Sequence, residues 1–100
     1  MKTIFSETND KYVMSFDGRL DTGASSQTER EMKVLYDCEG HDIVLDCEKL
    51  EYISSSGLRL FLGVLKNATT KGSKVSIVGL SDSLRQIFDE IGFTRLFDIK

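Results

Sequence analysis

Three consecutive serines, Ser54, Ser55 and Ser56, precede Gly57 and the apolar stretch that begins at Leu58. One hydroxyl is enough to cap the unpaired N–H groups at a helix start. Three exceed that requirement. A hydroxyl at this position is suited to carry a phosphate, because the partial positive charge of the helix N-terminus stabilises the added negative charge. The other chemical use would be as a nucleophile, and the company a nucleophile needs is missing. "SSSG" lacks the leading glycine of a GxSxG elbow. A Ser-His-Asp triad would require the only histidine, His41, which stands at the start of a strand ending near Cys47. Five or six strand residues separate such ends by roughly 16–20 Å. "TTKGSK" does not have the spacing of a phosphate-binding loop. The chain is therefore expected to be no enzyme and to hold no cofactor.

Metal binding is not expected either. Cys38, Cys47 and His41 are all the Cys and His present, short of the four ligands of a structural zinc site. In a reducing compartment the two thiols stay unpaired and serve as small buried apolar residues.

The elements that must position the serines follow from patterning. Thr3–Thr8 and Lys11–Phe16 read as two short strands joined at Asn9-Asp10, with Asp17-Gly18 closing the second. Ala24, Thr28, Met32 and Leu35 or Tyr36 recur at helical spacing from Thr22 to about Asp37. "DIVLDC", Asp42–Cys47, is a continuous apolar run, the pattern of a central strand covered on both faces. A helix is predicted from Ser55 to about Thr70. Its inward face is Leu58, Phe61, Leu62, Leu65 and Ala68, widened by Leu60 and Val64, with Arg59, Gly63, Lys66 and Thr70 as the polar stripe. Lys74–Val78 is another strand. Ser81 or Asp82 caps a further helix with Leu84, Ile87, Phe88 and Ile91 inward and Gly92 as its stop, and Phe93–Ile99 supplies a last short strand. The order β-β-α-β-α-β-α-β predicts an α/β fold: a mixed sheet with an N-terminal hairpin and helices packed against it, as one domain over 1–100. The serines then fall at the carboxyl end of a strand, where open α/β sheets place their sites.

Composition excludes other classes. There are 13 Lys+Arg against 16 Asp+Glu, a net charge of −3, with the bases scattered, so no direct nucleic-acid binding is expected. The longest apolar run, Leu60–Leu65, is interrupted by Gly63 and is far too short to span a membrane. "MKTIFSETND" turns polar too early for a signal peptide. A cytoplasmic location is expected.

Four segments, "FDGRLDTGAS", "HDIVLDCEKLEYISSSGLRLFL", "KGSKVSIVGLSDSLRQIF" and "IGFTRLF", resemble the STAS domains, and among them the bacterial anti-sigma factor antagonists. The likeness covers Val13 to about Ile99. It implies that Ser55 is a phosphoacceptor, followed by the matching Ser56 and Gly57. Ser54 stands where the sporulation and stress-response antagonists have Asp. Asp21 matches an acid that lies beside the acceptor and contacts the partner kinase, and Asp46 matches the acid ending the central strand. The implied partner-binding set is Asp21, Ser54, Ser55, Ser56, Gly57 and Arg59. A phosphate on Ser55 is expected near Asp21, Asp46, Glu48 and Glu51, with Arg59 at i+4 in reach of it.

The resemblance also implies partner switching. The unphosphorylated protein binds an anti-sigma factor that is itself a serine kinase, thereby freeing a sigma factor. Phosphorylation releases the complex, and a metal-dependent Ser/Thr phosphatase resets it. Many relatives add a last helix beyond the position of Lys100. Its lack implies apolar surface near Phe93 and Phe97, or pairing into a homodimer. Two alternatives stay open: an unphosphorylated scaffold subunit of a transport or signalling assembly, and a small-ligand or nucleotide-binding domain using the helix N-terminus as an anion site.

Overall fold

The computed structural model describes all 100 residues. Its elements are β1 (Lys2–Glu7), β2 (Lys11–Leu20), α1 (Thr22–Met32), a 3-10 turn (Lys33–Tyr36), β3 (Asp42–Ile53), α2 (Ser55–Thr70), β4 (Val75–Val78), α3 (Asp82–Glu90), a second 3-10 turn (Phe93–Arg95) and β5 (Asp98–Ile99). They build the mixed α/β sheet that the patterning predicts. The strands lie in the order β1-β2-β3-β4-β5, antiparallel between β1 and β2 and parallel thereafter. Every parallel crossover steps the same way across the sheet. Right-handed connections then put α1, α2 and α3 on one face.

That face holds the core. Met14, Phe16 and Leu20 of β2, Ile43, Leu45 and Cys47 of β3, and Val75 and Ile77 of β4 are buried under the helices. An aromatic series crosses the helix layer, with ring centroids 5.1 Å apart from Phe16 to Phe61, 6.3 Å from Phe61 to Phe88, 5.6 Å from Phe88 to Phe93 and 5.3 Å from Phe93 to Phe97. Beside it, Thr3 of β1 donates to Glu31 of α1 at 2.6 Å, anchoring the edge strand to the first helix.

Several expectations are corrected. β3 is not covered on both faces: Val44 and Asp46 are only half-buried, because all three helices lie on the other side. β3 also runs on past Cys47 to Ile53, and β2 runs past Asp17-Gly18 to Leu20. Their register shifts between Ser15 and Asp17 and again between Gly18 and Arg19, so bulges absorb the polar residues without ending the ladder. Gly18 supplies a φ of 110° there, a value L side chains rarely adopt. The first helix stops at Met32 and tightens into the 3-10 turn, which turns Leu35 rather than Tyr36 into the core.

The buried line of α2 is Gly57, Phe61, Val64 and Ala68, while Leu58, Leu60, Leu62 and Leu65 are half-buried flanks. Gly63 does not belong to a polar stripe. It faces Tyr36, whose hydroxyl lies 2.7 Å from where a Cβ on this glycine would stand. In α3 only Leu84 and Phe88 point inward, and Ile87 and Ile91 are exposed, because nine residues present a single i, i+4 seam to the core. Phe93 and Phe97 are themselves buried, and the apolar surface near them is carried by their neighbours Leu96, 53% exposed, and Ile91, 46% exposed. No helix is long and apolar enough to cross a membrane.

Candidate functional site

The last pair of the β2–β3 ladder, Leu20 opposite Ile53, sets the site. Each strand passes directly into a helix. Asp21 caps α1, its Oδ1 accepting from the Ala24 amide at 2.9 Å. Ser54 caps α2, its Oγ accepting from the Gly57 amide at 3.2 Å. The Ser54 amide itself donates to the Leu20 carbonyl at 2.8 Å, so the two helix starts are tied side by side. Two partial positive charges thus converge on one end of the sheet.

The three serines have three different environments. Ser54 is buried and used as the cap. Ser56 is half-buried, its Oγ 3.0 Å from that of Ser54 and 2.8 Å from that of Ser25 on α1. Ser25 in turn donates to the Asp21 carbonyl at 3.0 Å. Ser55 alone is exposed, the first residue of α2, and its hydroxyl takes no part in this chain of bonds. Of the three, it is the hydroxyl an incoming enzyme can reach.

Gly57 is buried at the start of α2. A Cβ there would stand 2.8 Å from Leu20 Cγ and 2.8 Å from Ile53 Cγ1. The missing side chain lets α2 start directly on top of the final strand pair. Arg59 is exposed one turn beyond Ser55 and belongs to none of the ion pairs. Asp21 is exposed beside the serines, as the turn after "GRL" suggests, and also holds α1 as its cap.

Asp46 does not join them. It sits in mid-strand, accepting from Ser15 Oγ at 3.3 Å and from the Glu48 amide at 3.1 Å. At about 3.3 Å per residue it lies roughly 23 Å back from Ile53, and Glu48 roughly 16 Å. Of the acids expected around Ser55, Asp21 stands at the cluster and Glu51 lies two residues before the end of β3, while Asp46 and Glu48 fall away because β3 is longer than "DIVLDC" suggests. Ser25 is the residue that sequence reasoning missed. It stands on another helix, and its only local signal is a hydroxyl one turn after the cap Asp21.

His41 lies at the far end of β3, stacked on Tyr12 with 4.2 Å between ring centroids and its Nε2 3.3 Å from Glu7. The full length of β3 separates it from the serines. Cys38 and Cys47 are free and buried, and burial pushes the Cys47 thiol up to about 12, with the neighbouring Asp46 charge adding to the effect. No three His, Cys, Asp or Glu side chains group in a way that could hold a metal ion.

A one-sided sheet whose strand ends feed two adjacent capped helices, with a free serine at the second, defines a class. The STAS domain family model matches residues 3–100, and the chain belongs to that family. Among curated relatives, the anti-sigma-B factor antagonist of Staphylococcus aureus (strain NCTC 8325 / PS 47) is 29% identical over 93 residues, covering 92% of this chain and 86% of the relative. That of Listeria monocytogenes is 28% identical over 83 residues, 83% of this chain and 73% of the relative. Among solved structures, the phosphorylated Bacillus cell fate determinant SpoIIAA superimposes with a TM-score of 0.76 at 20% identity, covering 99% of this chain and 91% of that one. An anti-sigma factor antagonist from Mycobacterium paratuberculosis gives 0.86 at 16%, over 98% and 83%. At these identities the structural likeness speaks for the fold alone.

Proposed function

We propose that this protein is a non-enzymatic anti-sigma factor antagonist switched by phosphorylation of Ser55. The observation that carries the reading is the division of labour among the serines: Ser54 and Ser56 are engaged in caps and hydroxyl contacts, and Ser55 is exposed and free at the start of α2. The names of the curated relatives support the direction of the reading. In the unphosphorylated state the surface around Asp21, Ser55 and Arg59 docks an anti-sigma factor that is also a serine kinase, and a sigma factor is released. Adding about −1.5 to −2 charge at Ser55 leaves the fold intact, since the helix N-terminus favours it, but disrupts a surface that the partner must desolvate. A Ser/Thr phosphatase returns the protein to its binding form, and the cycle takes place in the cytoplasm.

The test uses the serine-kinase anti-sigma factors of the source organism, purified singly, with labelled ATP. Ser55→Ala should lose the label, and Ser54→Ala and Ser56→Ala should keep it. Ser55→Asp should bind the same partner at least tenfold more weakly by calorimetry, with stability within about 1 kcal/mol of wild type. Label mapped to Ser54 in the Ser55→Ala chain would take the acceptor role from Ser55, and undiminished affinity of Ser55→Asp would replace the switch with a scaffold role.

A further inference from the structure

Helix α2 contains no acidic residue; its only charges are Arg59 and Lys66. At i−4 and i−3 from Arg59 stand Ser55 and Ser56, and at i+3 and i+4 stand Leu62 and Gly63. The guanidinium is exposed and joins none of the three ion pairs of the molecule. It also sits little more than one turn from the positive end of the helix dipole, where a cation is disfavoured. Ser56 is held by Ser54 and Ser25, at 3.0 and 2.8 Å. Ser55 is therefore the one neighbouring position on this helix where a counter-charge can appear.

We infer that Arg59 is the internal counter-ion of phosphorylated Ser55, so that phosphorylation withdraws a cation from the docking surface as well as adding an anion. This rests on the reading of Ser55 as the phosphoacceptor. An anion N-terminal to a cation at i, i+4 is the favourable order on a helix. A guanidinium pairs two N–H groups with two phosphate oxygens, a geometry an ammonium cannot reproduce. The same side chain cannot serve a partner's carboxylate and the chain's own phosphate at once. The switch thus has two arms on one turn of helix, and the second is written in Arg59.

The experiment needs no kinase. The phosphoryl group is installed on Ser55 of the full chain during translation, and the second ionisation of the phosphate, near 6 in a free phosphoserine, is followed by phosphorus NMR. Arg59→Gln should raise that pKa by about 0.15–0.4 unit, the size of an i, i+4 helix pair. Lys66→Gln, a further two turns along, should leave it where it is in wild type, and Arg59→Lys should fall between. Thermal melts establish that each chain is folded. Identical titration of the wild-type and Arg59→Gln phosphoproteins would overturn the inference while leaving the acceptor assignment standing. An acceptor other than Ser55 would instead show in the kinase labelling, whatever the titrations give.

Discussion

Replacing Gly57 by Ala tests how the serine cluster is held. A helical Gly→Ala change ordinarily stabilises by about 0.5–1 kcal/mol through backbone entropy. Here the new methyl would stand 2.8 Å from both Leu20 Cγ and Ile53 Cγ1, and 3.1 Å from Leu20 Cδ2. Leu20 is 0% exposed and Ile53 5%, and the atoms struck lie in the middle of their side chains, not at free ends. Relief therefore requires α2 to lift off the strand pair, an overpacking cost of about 1–3 kcal/mol. The net expectation is a loss of about 1 kcal/mol, or about 4–8 °C in melting temperature for a domain of this size. Gly63→Ala on the same helix is the internal control. Its methyl meets only the hydroxyl end of Tyr36, 2.7 Å away, and that ring is 38% exposed and free to swing outward. Gly63→Ala should be neutral or more stable. Urea unfolding of the two variants beside wild type settles the matter. A Gly57→Ala chain as stable as Gly63→Ala would refute the idea that α2 is seated on Leu20 and Ile53.

Asp21→Asn should keep α1 capped, since Asn caps as well as Asp. Its melting temperature should stay within about 2 °C while affinity for the anti-sigma partner falls, and a large loss of stability at unchanged affinity would make Asp21 a structural cap only. The buried Cys47 thiol, raised from 9.0 to about 12, should resist alkylation in the native state at pH 8 and react at once in denaturant. Because its folded-state value is the raised one, the native state holds the proton longer than the unfolded chain. The contribution to stability is present below about pH 9 and is lost as pH climbs towards 12, which denaturant melts of wild type and Cys47→Ala over pH 8–10.5 will resolve as a steeper fall in wild type.

What could be read from residue order and what could not have physical causes. The start of α2 at Ser55 and the succession of strands were legible because capping and apolar periodicity act locally. The reach of β2 and β3 was not. Asp17-Gly18 looks like a turn and the apolar run of β3 gives out at Cys47, and only pairing between the two strands, with its shifts of register, carries both on as sheet. The exposure of Ile87 and Ile91 depends on how little of α3 meets the core, a tertiary fact that helical spacing cannot encode. The same holds at the site. Ser55 stood out by position, whereas Ser25 joins it only through the side-by-side arrangement of α1 and α2, and Asp46 left it because the strand ran on.

Strand order in this sheet is the same as chain order. No strand waits for a partner made later than its immediate successor, so each closure during folding spans the β1–β2 hairpin or a single β-α-β unit. Loop closure governs the rate at which parallel sheets assemble. A doubly wound sheet must insert late strands beside early ones, but this chain can lengthen its sheet from one edge, unit by unit, in the order the polypeptide is made. The β2–β3 pair, and with it the end of the sheet that seats the serines, is complete before β4 and β5 have been added.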